Sequence, residues 1–135
     1  MPIQYKAGYK YQLYQAYWCN VEIYPKEKID TEYIELTEKG LLTIRRGYAW
    51  DGGSGPAIDS KTIMRGSLIH DSLYQLMRQG FLSIDNRKQA DIELKKICKE
   101  DGMWSVRVWW VYKAVRLAAG TYALPENAKE VITAP

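Results

Sequence analysis

The chain has 135 residues and a formal net charge of +3, with 47% hydrophobic and 26% charged residues. A chain of this length buries roughly two-thirds of its unfolded surface, so we expect a single domain, residues 1–135, with its own core. The composition favours neither a disordered nor a fibrous protein, and the scattered basic residues argue against a nucleic-acid-binding surface.

The aromatic composition is biased, since 11 tyrosines and 5 tryptophans accompany a single phenylalanine. Tyrosine and tryptophan carry a polar group on a large apolar ring, so they are enriched on half-buried surfaces and at interfaces. The sequence therefore predicts half-buried faces or an interface with a partner, rich in tyrosine and tryptophan, rather than additional buried core. The same rings could stack on nucleic-acid bases, but the small, scattered charge does not favour that partner.

The cysteines and the N-terminal segment indicate the cellular compartment. Cys19 and Cys98 lie far apart and form neither a disulfide framework nor the spacing of a zinc site. Residues 1–6 lack the apolar core of a signal peptide, and no apolar run approaches the roughly 18 residues that a membrane span needs. We therefore expect a cytosolic protein that is not secreted by a signal peptide and has no membrane span.

Residues 1–50 have the pattern of a strand-rich region. Aromatic and β-branched residues alternate with polar ones over residues 9–24, which is the period of a β-strand. Residues 33–36 and 41–44 flank a turn in which Gly40 takes the left-handed position, so they predict a β-hairpin. We expect the second strand of this hairpin to continue to Tyr48.

The period changes after a glycine-rich loop, residues 51–58, and predicts helices over residues 59–120 followed by an extended tail, residues 121–135. Capping signals divide the helical region into three segments. The first is capped by Asp59 or Ser60 and ends at Gly80, the second runs from Ser83 or Asp85 to Gly102, and the third covers about 104–117, with Gly120 closing it.

These elements predict an α+β fold. An N-terminal antiparallel β-sheet or hairpin is followed by an antiparallel pair of helices and by a third, C-terminal helix. The glycine-rich loop then lies where strands give way to helices, which makes it a candidate functional position.

The only histidine, His70, lies on the first predicted helix with Tyr74 four residues later on the same face. Asp71, the next residue, lies about 100° from His70 around the helix axis, toward the neighbouring surface. In an antiparallel pair of helices, Asp91 lies within about 3 Å of the level of His70. His70 could then donate one ring N–H to Asp91 and use its other nitrogen to take a proton from water.

The glycine-rich loop could supply a cation site. Gly52 and Gly53 permit backbone angles that point consecutive carbonyl oxygens inward, and Asp51 or Asp71 adds a carboxylate oxygen. Oxygen ligands of this kind favour calcium over zinc. A bound calcium ion could polarise an ester or phosphoryl oxygen.

Each of these residues also has a purely structural interpretation. His70 and its aspartate could form a satisfied, partly buried polar pair, and Asp91 could instead pair with Arg87 one helical turn earlier. Tyr74 could be an ordinary core tyrosine. The glycines could simply turn the chain, with Pro56 stiffening the exit of the loop.

Four motifs cover about half of the chain and resemble those of an uncharacterised family of small proteins, of unknown function, encoded by phages and prophages. The motifs are D-G-x-S-x-P (51–56), H-D-x-L-Y (70–74), R-x-x-A-D (87–91) and Y-x-A-V-R (112–116). The resemblance implies a viral origin and a location in the cytoplasm of an infected host cell or in the virion.

The first three motifs also resemble, more distantly, those of phospholipase A2, which cleaves an sn-2 ester. Ile69 stands where that family usually has a cysteine, and the disulfides that join its two helices are missing. The resemblance implies a catalytic group of His70, Asp91 and Tyr74, a calcium site of Asp71, Asp51, Gly52 and Gly53, and supporting roles for Ser54, Pro56 and Arg87.

Two functional hypotheses follow. The first is a phage-encoded hydrolase that uses calcium, with a phospholipid or another small ester as its substrate. The alternative is a non-catalytic phage structural or host-interaction protein, in which the His/Asp/Tyr cluster is a buried structural network. In that case the surface rich in tyrosine and tryptophan binds a phage or host protein.

Overall fold

A computed structural model describes residues 11–50 and 61–118 of the chain. Strands precede helices along these residues, so the predicted α+β fold is confirmed. The glycine-rich loop, the Asp59 or Ser60 cap, Gly120 and the tail predicted for 121–135 lie outside the described residues. The described residues group into two compact units, residues 11–50 and residues 61–118, and the single domain expected from the sequence stays a prediction.

The first unit contains two antiparallel sheets. A four-stranded sheet has the order β2-β5-β4-β3, and β1 pairs with β6. The strands are β1 (Tyr11–Gln12), β2 (Tyr17–Asn20), β3 (Ile29–Asp30), β4 (Ile34–Leu36), β5 (Leu41–Ile44) and β6 (Ala49–Trp50).

The hairpin predicted from the sequence is formed by β4 and β5, which pair with Leu36 opposite Leu42. Gly40 has a φ of +88°, the left-handed conformation that the turn requires. The Thr37 hydroxyl accepts a hydrogen bond of 3.0 Å from the backbone N–H of Leu41 and so closes the turn. Ile34, together with other alternate residues of both strands, is fully buried, so the period-two pattern marks an apolar face.

The prediction that the second hairpin strand continues to Tyr48 is wrong. β5 ends at Ile44, and a turn at residues 46–47 redirects the chain. Gly47 has a φ of +96°, which a residue in a continuing strand does not adopt. The chain then enters β6, where Ala49 faces Gln12 of β1 instead of extending the larger sheet.

The second unit consists of helices. α1 (Lys61–Arg78) is followed by a 3-10 turn (Ile84–Asn86), α2 (Arg87–Glu100) and α3 (Ser105–Ala118). Gly80 and Gly102 have positive φ values of 80° and 94°, so both predicted stop signals end their helices. Ser83 caps the 3-10 turn by accepting a hydrogen bond from the backbone of Asp85, and α2 begins only after that turn.

The contacts between α1 and α2 show that the two helices are antiparallel. Arg65, near the start of α1, forms an ion pair with Asp101 just beyond the end of α2, whereas His70 reaches Asp91. Between these contacts, a Cβ added to Gly66 would lie 2.8 Å from Leu94, so the glycine lets the helices approach closely. The core of this unit is built from side chains of all three helices and the loop before α3: Ile63, Leu94, Cys98, Met103, Val108 and Val111.

Among residues 11–50 and 61–118, no helix is both long enough and apolar enough to cross a membrane.

We predict that Gly40→Ala destabilises the protein more than Gly80→Ala does. Both glycines have a positive φ, so alanine should cost about 1–2 kcal/mol at either position. A Cβ at Gly40 would also clash with the carbonyl oxygen of Val21, whereas nothing lies within 4 Å of one at Gly80. Gly40→Ala should therefore lower the free energy of unfolding by about 3 kcal/mol or more. Denaturant unfolding followed by circular dichroism measures this loss. Equal losses for the two variants would show that the contact with Val21 does not limit the turn.

Candidate functional site

The candidate site lies where α1, α2 and α3 meet. His70 and Tyr74 are one helical turn apart on α1, and Asp91 is in the second turn of α2. His70 Nε2 lies 2.7 Å from Asp91 Oδ1, and the Tyr74 hydroxyl donates a hydrogen bond of 2.6 Å to the same oxygen. The sequence prediction that the helix pair brings His70 to Asp91 is therefore confirmed.

The carboxylate of Asp91 is completely buried, with none of its side chain exposed. Its second oxygen, Oδ2, accepts a hydrogen bond of 2.8 Å from Nη1 of Arg116 on α3. A buried carboxylate is strongly destabilising unless it is paired and hydrogen-bonded. Here Oδ1 accepts two hydrogen bonds and Oδ2 is paired with the Arg116 cation. The negative charge of Asp91 is therefore compensated even when His70 is neutral.

The electrostatics of Asp91 and Tyr74 follow from this arrangement. Burial pushes the pKa of Asp91 up, but the hydrogen bonds from His70, Tyr74 and Arg116 outweigh burial and hold its pKa below the ordinary value of 3.8. Burial and the neighbouring Asp91 carboxylate both raise the pKa of Tyr74. Asp91 is therefore an anion that accepts hydrogen bonds, and the Tyr74 hydroxyl remains a donor.

Asp91 also determines the tautomer of His70. An ionised carboxylate can only accept, so the neutral form of the His70 ring carries its proton on Nε2 and its lone pair on Nδ1. Nδ1 faces Asp71, with Oδ1 of that residue 3.7 Å away, which is too long for a hydrogen bond. The ring also packs against that of Tyr74, with 4.3 Å between the ring centroids.

Two opposing effects act on His70. Burial lowers its pKa, but the carboxylates of Asp71 and Asp91 raise it by more, so the pKa lies above the ordinary value of 6.5. Only 7% of the side chain is exposed, whereas Asp71 beside it is 36% exposed.

Two arginines complete the cluster. Arg116 belongs to the Y-x-A-V-R motif, but no role was inferred for it from the sequence, because its partner lies on another helix. Arg87, the alternative partner of Asp91, instead donates a hydrogen bond of 3.4 Å to the backbone carbonyl of Arg116. Among the residues described, Asp91 is hydrogen-bonded to His70 and forms an ion pair with Arg116 but not with Arg87.

The structure describes only part of the predicted calcium site. Asp71 lies beside the His70 ring and, within residues 11–50 and 62–118, has no lysine or arginine close enough for an ion pair. In the same parts of the chain, no three histidine, cysteine, aspartate or glutamate side chains lie close enough together to hold a metal ion. The other predicted loop residues lie outside the described residues: Asp51, Gly52, Gly53, Ser54 and Pro56.

We predict that Arg116→Met destabilises the folded chain by about 1–3 kcal/mol, because it leaves the buried oxygen of Asp91 without its cation. The lowered pKa of Asp91 contributes stability that is present above pH 3.8 and is lost as the pH falls through the folded-state pKa. Without Arg116 that pKa rises toward 3.8, so the acid-dependent loss of stability becomes smaller. Denaturant unfolding from pH 2 to pH 7 measures both effects.

Arg65→Met is the matched control, since Arg65 also joins two elements but pairs with the partly exposed Glu100 and Asp101. Arg65→Met should lower the free energy of unfolding by less than about 1 kcal/mol. Similar losses for the two arginine variants would contradict the compensating role assigned to Arg116.

Comparison of the chain with protein-family models, with curated proteins and with solved structures finds no match in any of the three.

Proposed function

We propose that the protein is a hydrolase in which His70 takes a proton from an attacking water. The observation that carries this proposal is the convergence of His70 Nε2 and the Tyr74 hydroxyl on one oxygen of Asp91, at 2.7 and 2.6 Å. This pairing holds the ring in one tautomer and keeps Nδ1 as the basic nitrogen. A general-base site contains a base and a group that orients the base, and here a further group holds the orienting group in place.

Each member of the cluster has one role in this proposal. His70 accepts the proton of the water on Nδ1, and the Asp91 carboxylate stabilises the imidazolium that results. Tyr74 holds Asp91, and Arg116 balances its charge, so Asp91 and Tyr74 are positioning residues. A correctly placed general base accelerates a reaction by about 10²–10⁴-fold.

The substrate class follows from the resemblance to phospholipase A2, and we propose a phospholipid or another small ester. Asp71, with Asp51, Gly52 and Gly53, would hold calcium, and Ser54, Pro56 and Arg87 would support the site. When bound, calcium offsets the negative charge that develops on the ester oxygen. Asp71 is 36% exposed and has no lysine or arginine partner among the described residues, which supports this assignment.

A phage origin is part of the proposal, and its support is the set of four motifs in the sequence. Such a protein would act in the cytoplasm of an infected cell or as part of the virion.

The burial of His70 favours a second candidate function. Its side chain is only 7% exposed, as in a satisfied structural network. In this candidate the protein is a phage structural or host-interaction protein, and the cluster joins three helices without taking part in a reaction.

We predict that His70→Gln abolishes hydrolysis while the protein remains folded. The glutamine amide can still donate a hydrogen bond to Asp91 but cannot accept a proton from water. The turnover of phospholipid vesicles with calcium, measured as released fatty acid, should fall by about 10²–10⁴-fold.

His70→Ala serves as the comparison, because it removes both the base and the donor. It should lose the same activity and also about 1–3 kcal/mol of stability. Turnover that survives in His70→Gln would disprove the role of the base. A wild-type protein without esterase or phospholipase activity would leave the structural network as the function.

We predict that calcium raises the melting temperature of the wild-type protein, because a ligand that binds only the folded state stabilises it. Asp71→Asn removes one carboxylate from a partly exposed position, so the variant should fold but show a smaller shift. The chelator EDTA should reverse the effect. A melting temperature that calcium leaves unchanged in the wild type would exclude the calcium site, whatever the outcome for His70.

A further inference from the structure

Helix α3 has an apolar face that points away from the helix core. Its inner side packs into the core through Val108 and Val111. Its outer side carries Val106, Trp109, Trp110, Lys113 and Leu117, which fall on one face because they are spaced three or four residues apart.

The side chains of this outer face are strongly exposed. Trp109 and Trp110 are 56% and 55% exposed, and Leu117 is 86% exposed. Trp104, immediately before the helix, is also exposed. A helix that is apolar on both sides is typical of a position covered by a partner or by lipid.

The charge of this face favours lipid. The sequence of α3 contains arginine and lysine but no aspartate or glutamate. Lys113 lies in the middle of the exposed face, with its Nζ atom 5.7 Å from the centroid of the Trp109 ring. On α2, the Lys95 Nζ atom lies 5.0 Å from the ring of Tyr112, which adds a further cation beside α3.

A second copy of the chain is a poorer partner for this face. In a symmetric dimer the same patch meets itself, so Lys113 of one copy would approach the cationic patch of the other. Since α3 has no carboxylate, the helix itself offers no partner for these cations. An anionic surface has the complementary charge.

Tryptophan is the residue that best fits the boundary between headgroups and acyl chains, since its ring is apolar and its indole N–H is polar. At 14 residues, α3 spans about 21 Å, which is too short to cross a bilayer but suits a helix lying in its surface. An apolar cleft of about 620 Å³ adjoins this face and is lined in part by Met103, Trp104 and Trp110. Its volume is within the range of ligand sites.

We propose that the outer face of α3 binds the surface of an anionic phospholipid membrane. Trp109 and Trp110 enter the interfacial layer, and Lys113 lies against the lipid phosphates. The inference goes beyond the proposed hydrolase and does not depend on it, because the face is formed without His70.

The experiment is flotation of the full chain with vesicles of equal parts phosphatidylglycerol and phosphatidylcholine, in EDTA so that the lipid is not hydrolysed. Binding should be clear on these vesicles and weak on phosphatidylcholine alone. Trp109→Ser combined with Trp110→Ser should weaken the binding by at least about tenfold, because two large apolar surfaces are lost. Lys113→Gln should weaken it roughly fivefold, and less at high salt.

Trp18→Ser is the control, since Trp18 is a tryptophan on β2 that is 66% exposed, and it should bind like the wild type. His70→Gln should also bind like the wild type, so failure of the hydrolase and failure of the membrane surface can be distinguished.

Three results would overturn the proposal. One is the absence of binding to the anionic vesicles. Another is unchanged binding by both Lys113→Gln and the double tryptophan variant. The third is a dimer seen by light scattering that the double variant abolishes, without vesicle binding, because a second copy would then cover the face.

Discussion

The buried carboxylate of Asp91 is the interaction on which the helical unit depends. It lies on α2, accepts hydrogen bonds from His70 and Tyr74 on α1, and pairs with Arg116 on α3. Leaving such a charge buried without partners costs several kcal/mol, so the arrangement is stable only when all three helices are in place. The same requirement holds His70 in a single orientation. The contacts that stabilise buried Asp91 are therefore also the contacts that orient His70 for the proposed catalysis.

Helix α3 is apolar on two sides, one packed into the core and the other exposed. Its inner side contributes Val108 and Val111 to the core and Arg116 to Asp91, while its outer side exposes Trp109 and Trp110. The inner side explains why the helix is held in place. The outer side is largely exposed and contributes little to the core, so the core does not explain its apolar surface. Contact with a membrane provides an explanation, and it would bring a proposed lipid hydrolase to its substrate.

Local features of the fold were predictable because neighbouring residues determine them. The hairpin at Gly40 and the helix ends at Gly80 and Gly102 each depend on a glycine in the left-handed conformation. The strand beyond Ile44 was predicted wrongly, because β6 is formed by pairing with β1, more than thirty residues earlier. Pairing over that distance leaves no periodic signal in the sequence. The proximity of His70 and Asp91 was predictable, since helix geometry and a short connection determine their levels.

The sequence by itself determined the order of strands and helices, the helix that carries His70 and Tyr74, and the level of Asp91 on the next helix. These properties follow from hydrophobic period and capping, which act within a few residues. Only the tertiary structure decided that Arg116 compensates Asp91, that His70 is nearly buried and that the tryptophans of α3 face outward. Burial and ion pairing between separate helices depend on which faces pack together, and residues distant in sequence determine that packing.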